Sequence, residues 1–147
     1  MNIICGLCGL PSEQVTAGSP APKNPPDFDT RPGEPLRSTL AEWVQRCPHC
    51  GYCADNIASI HDNAVHFVRG ESYQQGLNDL NYPEKAREFL SYAAILAHVG
   101  QLADAGWSAL HGAWACDDAG DAAAAIRCRA RAIEYWQIGR ASCRERV

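Results

Sequence analysis

The chain has 147 residues, a formal net charge of −4 and eight cysteines. A chain of this length can bury one modest helical core and carry one small module held by a metal. Its acidic charge gives no long-range attraction for phosphates, which disfavours nucleic acid as a partner. No apolar run approaches membrane-spanning length and no signal peptide precedes the first cysteine, so we expect a cytoplasmic protein without membrane contact.

The first ten residues are expected to form a short strand followed by a Cys-x-x-Cys-Gly knuckle at residues 5–9. Two cysteines at this spacing can hold one side of a metal, with backbone N–H groups pointing at the sulfurs. The glycine after the second cysteine lets the chain turn sharply. In a reducing compartment such a pair binds metal rather than forming a disulfide.

Residues 11–42 contain seven of the nine prolines and are expected to form a long irregular insertion. Phe28 is expected to pack onto the ribbon that the cysteine knuckles form or onto a helix, with a partner contact as the alternative. Asp29 and Arg31 are expected to form a local salt bridge. Residues 39–46 then lead into the second knuckle as a strand, or as a short helix followed by a strand.

The second knuckle, residues 47–51, repeats the design of the first, again with glycine after its second cysteine. Together the two knuckles supply four thiolates, which is the complete ligand set of a closed structural zinc site. Two knuckles of the same design indicate a zinc ribbon much more strongly than one. The predicted ligands of a single structural Zn²⁺ ion are Cys5, Cys8, Cys47 and Cys50.

Other cysteine chemistries fit parts of the pattern. A redox-active pair needs one Cys-x-x-Cys at a helix N-terminus rather than two facing knuckles. Cys53 extends the second knuckle to C-x2-C-x2-C, but an iron–sulfur site would need a nearby fourth Cys-Pro ligand. Iron in a rubredoxin-like tetrathiolate site stays open. Cys53 is expected to be a small buried residue, with a spare ligand or a redox-sensitive thiol as alternatives, and Cys116 and Cys128 are expected to be buried free thiols that face each other.

Beyond residue 52 the sequence favours helices separated by short loops. Pro83 stands at a preferred first helical position, and Asp121 is a preferred N-cap. Gly100 and Gly120 stand where helices are expected to end. The predicted helices cover residues 53–60, 62–69, 71–77, 83–99, 102–119 and 121–137.

The spacing of apolar residues predicts which side of each long helix faces the core. Trp107 and Trp114 lie seven residues apart, or two helical turns, so both indoles are expected to pack in the core. An exposed aromatic strip that binds a partner is the alternative. The inward face predicted for the last helix consists of Ala122, Ile126, Ala130 and Ile133.

These helices resemble tetratricopeptide repeats, because Ala123 and Ala132 place small residues where paired helices of that repeat approach closely. Gly100 and Gly120 are twenty residues apart, which is shorter than the repeat period of about 34 residues. The sequence therefore predicts TPR-like hairpins rather than a regular array, and a small bundle without repeat identity is the alternative. The predicted fold is an α protein with a small β zinc ribbon, in which the four-cysteine ribbon packs on TPR-like helical hairpins.

The last ten residues, 138–147, read IGRASCRERV and resemble one translated reading frame of a common sequencing adapter. We expect this tail, with Cys143, to be foreign to the native protein and to make few tertiary contacts, although the last helix can propagate into it. Without its three arginines and one glutamate, the remaining sequence has 10 basic and 16 acidic residues, a net charge of −6. An exposed apolar patch is expected near Ile133 and Trp136.

No catalytic motif emerges, because the sequence lacks a phosphate-binding glycine loop, a G-x-S-x-G elbow and an H-E-x-x-H helix. His61 and His66 are five residues apart, which does not suit two ligands on one helix face. His49 is expected to face solvent, and His98 and His111 are expected near helix ends or on polar faces. No catalytic and no cofactor-binding residues are predicted, and an enzyme is disfavoured.

Taken together, these motifs resemble the bacterial domain of unknown function 2225 family. The resemblance rests on the first knuckle, the Asp-Phe-Asp run at 27–29, the CPHCGY run at 47–52 and the TPR-like helices that follow. It covers most of residues 1–137. The resemblance implies a zinc ribbon and a helical repeat, but no activity.

These observations predict a zinc ribbon over residues 1–52 with its proline-rich insertion over 11–42, a TPR-like helical domain over 53–137 and the tail over 138–147. The expected function is that of a zinc-binding adaptor whose partner is another protein. A nucleic-acid-binding zinc ribbon is the first alternative, disfavoured by the acidic charge. An enzyme without a recognisable motif is the second.

Overall fold

The structure is a computed structural model that describes residues 1–16 and 20–145, with side chains as far as Ala141. It is mostly helical, with two small antiparallel hairpins near the N-terminus. In the first hairpin β1 (Asn2–Ile4) pairs with β2 (Pro11–Glu13), and in the second β3 (Gln45–Arg46) pairs with β4 (Cys53–Ala54). Among the described residues, no helix combines the length and the apolar character needed to cross a membrane.

The two hairpins differ from the sequence prediction at their second strands. β2 lies at the start of the segment predicted to be irregular, and β4 lies where a helix over residues 53–60 was predicted. Each knuckle forms the turn between two strands, so each needs a strand on its far side to return the chain. The ribbon therefore extends past residue 52, and the predicted helix over 53–60 was wrong.

Within the described residues, five α-helices follow the ribbon. Their bounds agree with the predicted ones to within a few residues, except that the last helix is longer. A six-residue 3-10 helix, Arg37–Glu42, precedes β3, and a second one, Asp62–Ala64, leads into α1. Gly100 and Gly120 adopt positive φ angles of 87° and 74°, which end α3 and α4. The helices are α1 (Val65–Arg69), α2 (Glu71–Leu77), α3 (Glu84–His98), α4 (Leu102–Asp118) and α5 (Ala122–Glu145).

The last three helices pack side by side with α4 in the centre. Short connections between them make successive helices antiparallel neighbours. α5 continues through residue 138 without a break, and the Ile138 side chain is exposed. Whether these helices are TPR-like, and whether the tail is foreign, stay predictions, and the Cys143 side chain lies outside the described side chains.

The face of α5 that meets α4 is not the predicted one. Ile126 is 68% exposed and Ile133 is 53% exposed. Small side chains let the backbones of α4 and α5 approach closely. Because the helices are so close, the bulky isoleucines do not fit between them. The buried residues of α5 are Ala124, Ala125, Cys128 and Ala132.

Two side chains of α2 form hydrogen bonds with the backbone of the ribbon. The Tyr73 hydroxyl donates to the carbonyl oxygen of Gly51 at 2.7 Å and accepts from the N–H of Cys53 at 3.1 Å. The side-chain amide of Gln74 donates to the carbonyl oxygen of Cys50 at 3.3 Å. The second knuckle is therefore tied directly to the helical part of the molecule.

The proline-rich segment is fixed to the helices by ion pairs that the sequence did not predict. The Arg31 guanidinium is buried and donates to both carboxylate oxygens of Asp118, at 2.8 and 2.9 Å. The Asp29 carboxylate accepts from Arg129 at 2.9 Å. The predicted salt bridge between Asp29 and Arg31 was therefore wrong. Phe28, predicted to pack onto the ribbon or a helix, is fully exposed.

Candidate metal centre

The four predicted ligand sulfurs converge on one point. The Cys5 and Cys50 sulfurs are 3.7 Å apart, and those of Cys8 and Cys47 are 3.6 Å apart. All four ligand atoms lie within 4.8 Å of one another. Tetrahedral coordination with metal–sulfur bonds of about 2.3 Å separates the sulfurs by about 3.8 Å. The cluster therefore has the dimensions of a four-thiolate metal site.

The two knuckles repeat the same local geometry. In the first, the N–H of Gly9 donates to the carbonyl oxygen of Cys5, and in the second the N–H of Gly51 donates to that of Cys47, both at 2.9 Å. The two glycines have φ angles of 75° and 81°. Since a residue with a side chain rarely adopts positive φ, the glycines explain why each knuckle closes after its second cysteine.

The electrostatics of the cluster also favour a bound cation. Burial raises the pKa of the Cys50 thiol, and the neighbouring Cys47 and Cys5 sulfurs raise it further. Burial acts in the same direction on Cys47, but backbone N–H groups of Cys50 and His49 stabilise its thiolate and lower its pKa to about 7. Clustered thiolates repel one another, and a metal ion removes that repulsion and deprotonates the remaining thiols. The cluster is therefore built to hold a metal.

Other candidate ligands do not join this cluster. Cys53 is fully buried, its thiol donates to the carbonyl oxygen of Gly51 at 3.4 Å, and burial raises its pKa to about 12. His49 is exposed, with a ring nitrogen 3.2 Å from the carbonyl oxygen of Pro11. Within the part of the chain that the structure describes, the four knuckle cysteines form the one group of three or more possible ligands that lie close together.

The two cysteines of the long helices, Cys116 and Cys128, lie as predicted. Cys116 on α4 and Cys128 on α5 are fully buried, and their sulfurs are 3.8 Å apart. Burial raises the pKa of the Cys128 thiol to about 12. Burial favours the protonated form, and the two free thiols pack between the two helices.

An aromatic cluster around His111 was missed by sequence reasoning, which expected this histidine near a helix end or on a polar face. The imidazole lies 5.0 Å from the ring centroids of both Trp43 and Trp114 and 5.6 Å from that of Phe89. Burial lowers the pKa of His111 to about 4, so the ring is neutral at physiological pH. No local pattern indicates this cluster, because Trp43 comes from a distant part of the chain.

The two tryptophans of α4 separate instead of sharing the core. Trp114 is buried, and its indole N–H donates to Asp29 at 2.7 Å. Trp107 is 43% exposed and packs at an angle of 70° against Trp136 of α5, with 5.3 Å between ring centroids. The prediction that both indoles are core residues was therefore wrong for Trp107, which lies at the outer seam between α4 and α5.

This seam forms an open apolar groove of about 520 Å³. Its lining is mostly hydrophobic, and it also includes the ion pair between Arg129 and Asp29. Ile133 is half exposed along the groove, so the apolar patch expected near Ile133 and Trp136 is present. The apolar residues that line the groove are Trp107, Leu110, Ala132, Ile133 and Trp136.

Comparison of the chain with protein-family models, with curated proteins and with solved structures gave no match. The resemblance to the domain of unknown function 2225 family therefore stays a prediction from the motifs. The site and the fold carry the functional argument.

Proposed function

We propose that this protein is a cytoplasmic adaptor that uses a structural zinc ion to hold its N-terminal ribbon and its helices to bind a protein partner. The observation that carries the proposal is the apolar groove between α4 and α5, where Trp107, Ile133 and Trp136 meet solvent. The ribbon is then a cap for one end of the helices, and the partner docks along α4 and α5.

Zinc is favoured as the metal by the composition and closure of the site. Four thiolates form a complete tetrahedral shell, which leaves no position for a substrate or a water molecule, as in structural zinc sites. Soft thiolates also bind iron in the same geometry, so the geometry of the site does not distinguish the two metals. Their absorption spectra do. A structural role agrees with the position of the cluster at the turns of two hairpins.

The groove has the chemistry of a protein-binding surface. Tryptophan is enriched among residues that dominate binding energy, and such residues lie in apolar pockets that exclude water. Stacked antiparallel helices commonly present concave surfaces of this kind to partners. A hydrophobic helix or loop of a partner would cover the half-exposed indole of Trp107 and the side chain of Ile133.

The metal is tested by elemental analysis and absorption spectra of the purified protein. We expect one equivalent of zinc and no visible absorption. Stoichiometric iron with thiolate-to-iron charge-transfer bands would replace zinc by iron and leave the adaptor function standing. A folded protein without metal would contradict the structural role.

The partner is tested by capture from a bacterial lysate after nuclease treatment, comparing the native sequence with two variants. Ile133→Ser changes a groove residue, whereas Ile126→Ser changes another exposed isoleucine of α5 that lies outside the groove. We expect a defined protein that is retained by the native chain and by Ile126→Ser and is lost with Ile133→Ser. Equal capture by all three would remove the groove as the binding surface.

A nucleic-acid-binding ribbon is the alternative, and the same capture without nuclease treatment tests it. If the untreated lysate yields RNA as the sole captured species, and groove substitutions do not change this, the adaptor proposal fails. The acidic net charge of −4 predicts that outcome to be absent at physiological salt.

A further inference from the structure

Trp107 also lines a second cleft, which is distinct from the groove. It has a volume of about 390 Å³ and lies between α3, α4 and the segments that precede β3 and follow β4. Its polar and aromatic lining sets it apart from the apolar groove. The residues that matter for its chemistry are Trp43, Asp55, Tyr92, Asp104, Trp107 and His111.

The charge of this cleft is negative. Asp55 and Asp104 are exposed carboxylates, and no lysine or arginine is among the lining residues. Neither carboxylate takes part in any of the salt bridges found in the described residues. His111 contributes no positive charge, because burial keeps it neutral. The cleft therefore has two negative charges that no basic side chain of its lining neutralises.

Aromatic side chains form much of the remaining wall. Trp43 and Tyr92 are partly buried, Trp107 is 43% exposed, and Phe89 lies behind them. The indole N–H of Trp43 donates to the hydroxyl of Thr39 at 2.8 Å, which fixes the orientation of the ring. Aromatic rings attract cations through their quadrupole, and the attraction is strongest for tryptophan.

We propose that this cleft binds an organic cation, an ammonium or guanidinium group carried either by a small molecule or by a lysine or arginine side chain. The carboxylates of Asp55 and Asp104 supply the charge, and Trp43, Tyr92 and Trp107 supply an aromatic wall. A bare metal ion fits less well, because it prefers several oxygen ligands at short distance to aromatic rings. The proposal does not depend on the adaptor function, because Trp107 is the one lining residue that the cleft and the groove share.

The test is a titration of the zinc-loaded protein with choline and with 3,3-dimethyl-1-butanol, which has the same shape without the charge. Tryptophan fluorescence and NMR shifts report binding, since Trp43 and Trp107 line the cleft. We expect saturable binding of choline and at least about tenfold weaker binding of the uncharged alcohol. Equal affinity for the two compounds would overturn the proposal.

Variants locate the binding. The double substitution Asp55→Asn with Asp104→Asn is expected to weaken choline binding at least about tenfold. Glu84→Gln is the matched control, because Glu84 is an exposed acid in the first turn of α3, as Asp104 is in α4, and lies outside the cleft. Unchanged affinity in the double variant, with an unchanged melting temperature, would overturn the proposal.

A final comparison separates the two sources of the cation. Butylguanidinium and choline represent small molecules, and a short peptide with one lysine represents a partner side chain. The same peptide with norleucine in place of lysine removes the charge and keeps the length. Tighter binding of the lysine peptide than of the small cations assigns the cleft to a partner, and the reverse order assigns it to a metabolite. If neither small cation nor the lysine peptide saturates the protein below about 10 mM, the cleft does not bind organic cations.

Discussion

The ribbon and the proline-rich segment both lack long regular elements, yet the protein holds them by different means. In the ribbon, four sulfurs from two short motifs meet within 4.8 Å of one another. In the proline-rich segment, two charged residues reach side chains of α4 and α5 that lie 87 and 100 positions further along the chain. One region is organised around its own four sulfurs, and the other is attached to side chains of two helices.

The anchor of the proline-rich segment centres on Trp114. Its indole N–H binds Asp29, and the Arg31 guanidinium lies 5.9 Å from its ring centroid. Arg129 binds Asp29 and also Asp117, at 2.7 Å, so α4 and α5 are joined through the same group of charges. Loss of this anchor is expected to free the segment without affecting the metal, whereas loss of the metal is expected to disrupt the ribbon first.

Removal of a metal ligand is expected to have the largest effect. Cys50→Ser should abolish tight metal binding, because a closed site loses both charge and geometry. Structural zinc supplies about 10–16 kcal/mol of binding free energy in small domains, so the ribbon should lose several kcal/mol or more of stability. Elemental analysis and thermal melting followed by circular dichroism measure the two effects.

Cys53→Ala is the matched control for this change, because Cys53 is a neighbouring buried cysteine outside the cluster. It should keep one equivalent of metal. If instead Cys53→Ala lost the metal and Cys50→Ser kept it, the assignment of the ligands would be wrong.

Trp114→Ala tests the anchor of the proline-rich segment. Removal of a buried tryptophan costs about 3–5 kcal/mol, and here Asp29 also loses the indole N–H. Trp107→Ala should cost less, about 1–2 kcal/mol, because the indole of Trp107 is 43% exposed. Denaturant unfolding gives both values, and the metal content should not change. Equal losses in the two variants would contradict the separation of the two indoles.

Arg31→Ala tests the ion pairs of the same anchor. Arg31 is buried, but its partner Asp118 is 55% exposed, so we expect a loss of about 2–3 kcal/mol rather than that of a fully buried pair. Arg37→Ala is the control, since Arg37 pairs with Asp27 at the surface and should contribute about 0–1 kcal/mol. Proteolysis of the proline-rich segment should become faster in Arg31→Ala alone. Similar stability losses for the two arginines would show that burial does not decide the strength of these pairs.

The comparison also explains which features the sequence predicts. The cluster of four cysteines was predictable, because each knuckle is complete within five residues and its glycine is visible in the sequence. The partners of Asp29 and Arg31 were not, since a salt bridge between distant residues leaves no local pattern. Sequence proximity favoured a salt bridge between Asp29 and Arg31, whereas the fold brings Arg129 to Asp29 and Asp118 to Arg31.

The helices show the same limit at a smaller scale. Their bounds follow from local signals such as Pro83, Gly100 and Gly120, and these predictions agree with the structure. The inward face of α5 does not follow from such signals, because hydrophobic spacing favours the larger Ile126 and Ile133. Close packing against α4 requires small residues such as Ala125 and Cys128 instead. The prediction for Trp107 was wrong for the same reason, because periodicity alone does not distinguish a core position from one at the seam between α4 and α5.

Acid titration gives the smallest effect and distinguishes the anchor from the metal site. Burial tends to raise the pKa of Asp29, but hydrogen bonds from Arg129 and Trp114 outweigh it and lower the pKa from the ordinary value of an aspartate. A carboxylate with a lowered folded-state pKa contributes stability above its unfolded pKa, and this contribution disappears as the pH falls through the folded value. The Asp29 carboxylate is partly exposed, so we expect its contribution to lie in the range of exposed ion pairs, about 0–1 kcal/mol.

The variant Asp29→Asn isolates this contribution. Acid also protonates the ribbon thiols and releases the metal, but that loss is common to both proteins and cancels in their difference. The difference in unfolding free energy between the native chain and Asp29→Asn should stay constant from pH 7 to about pH 5 and shrink as the pH falls below about 4. A difference that grew at low pH would mean that Asp29 is destabilised by its surroundings and that Arg129 and Trp114 do not hold the segment through its carboxylate.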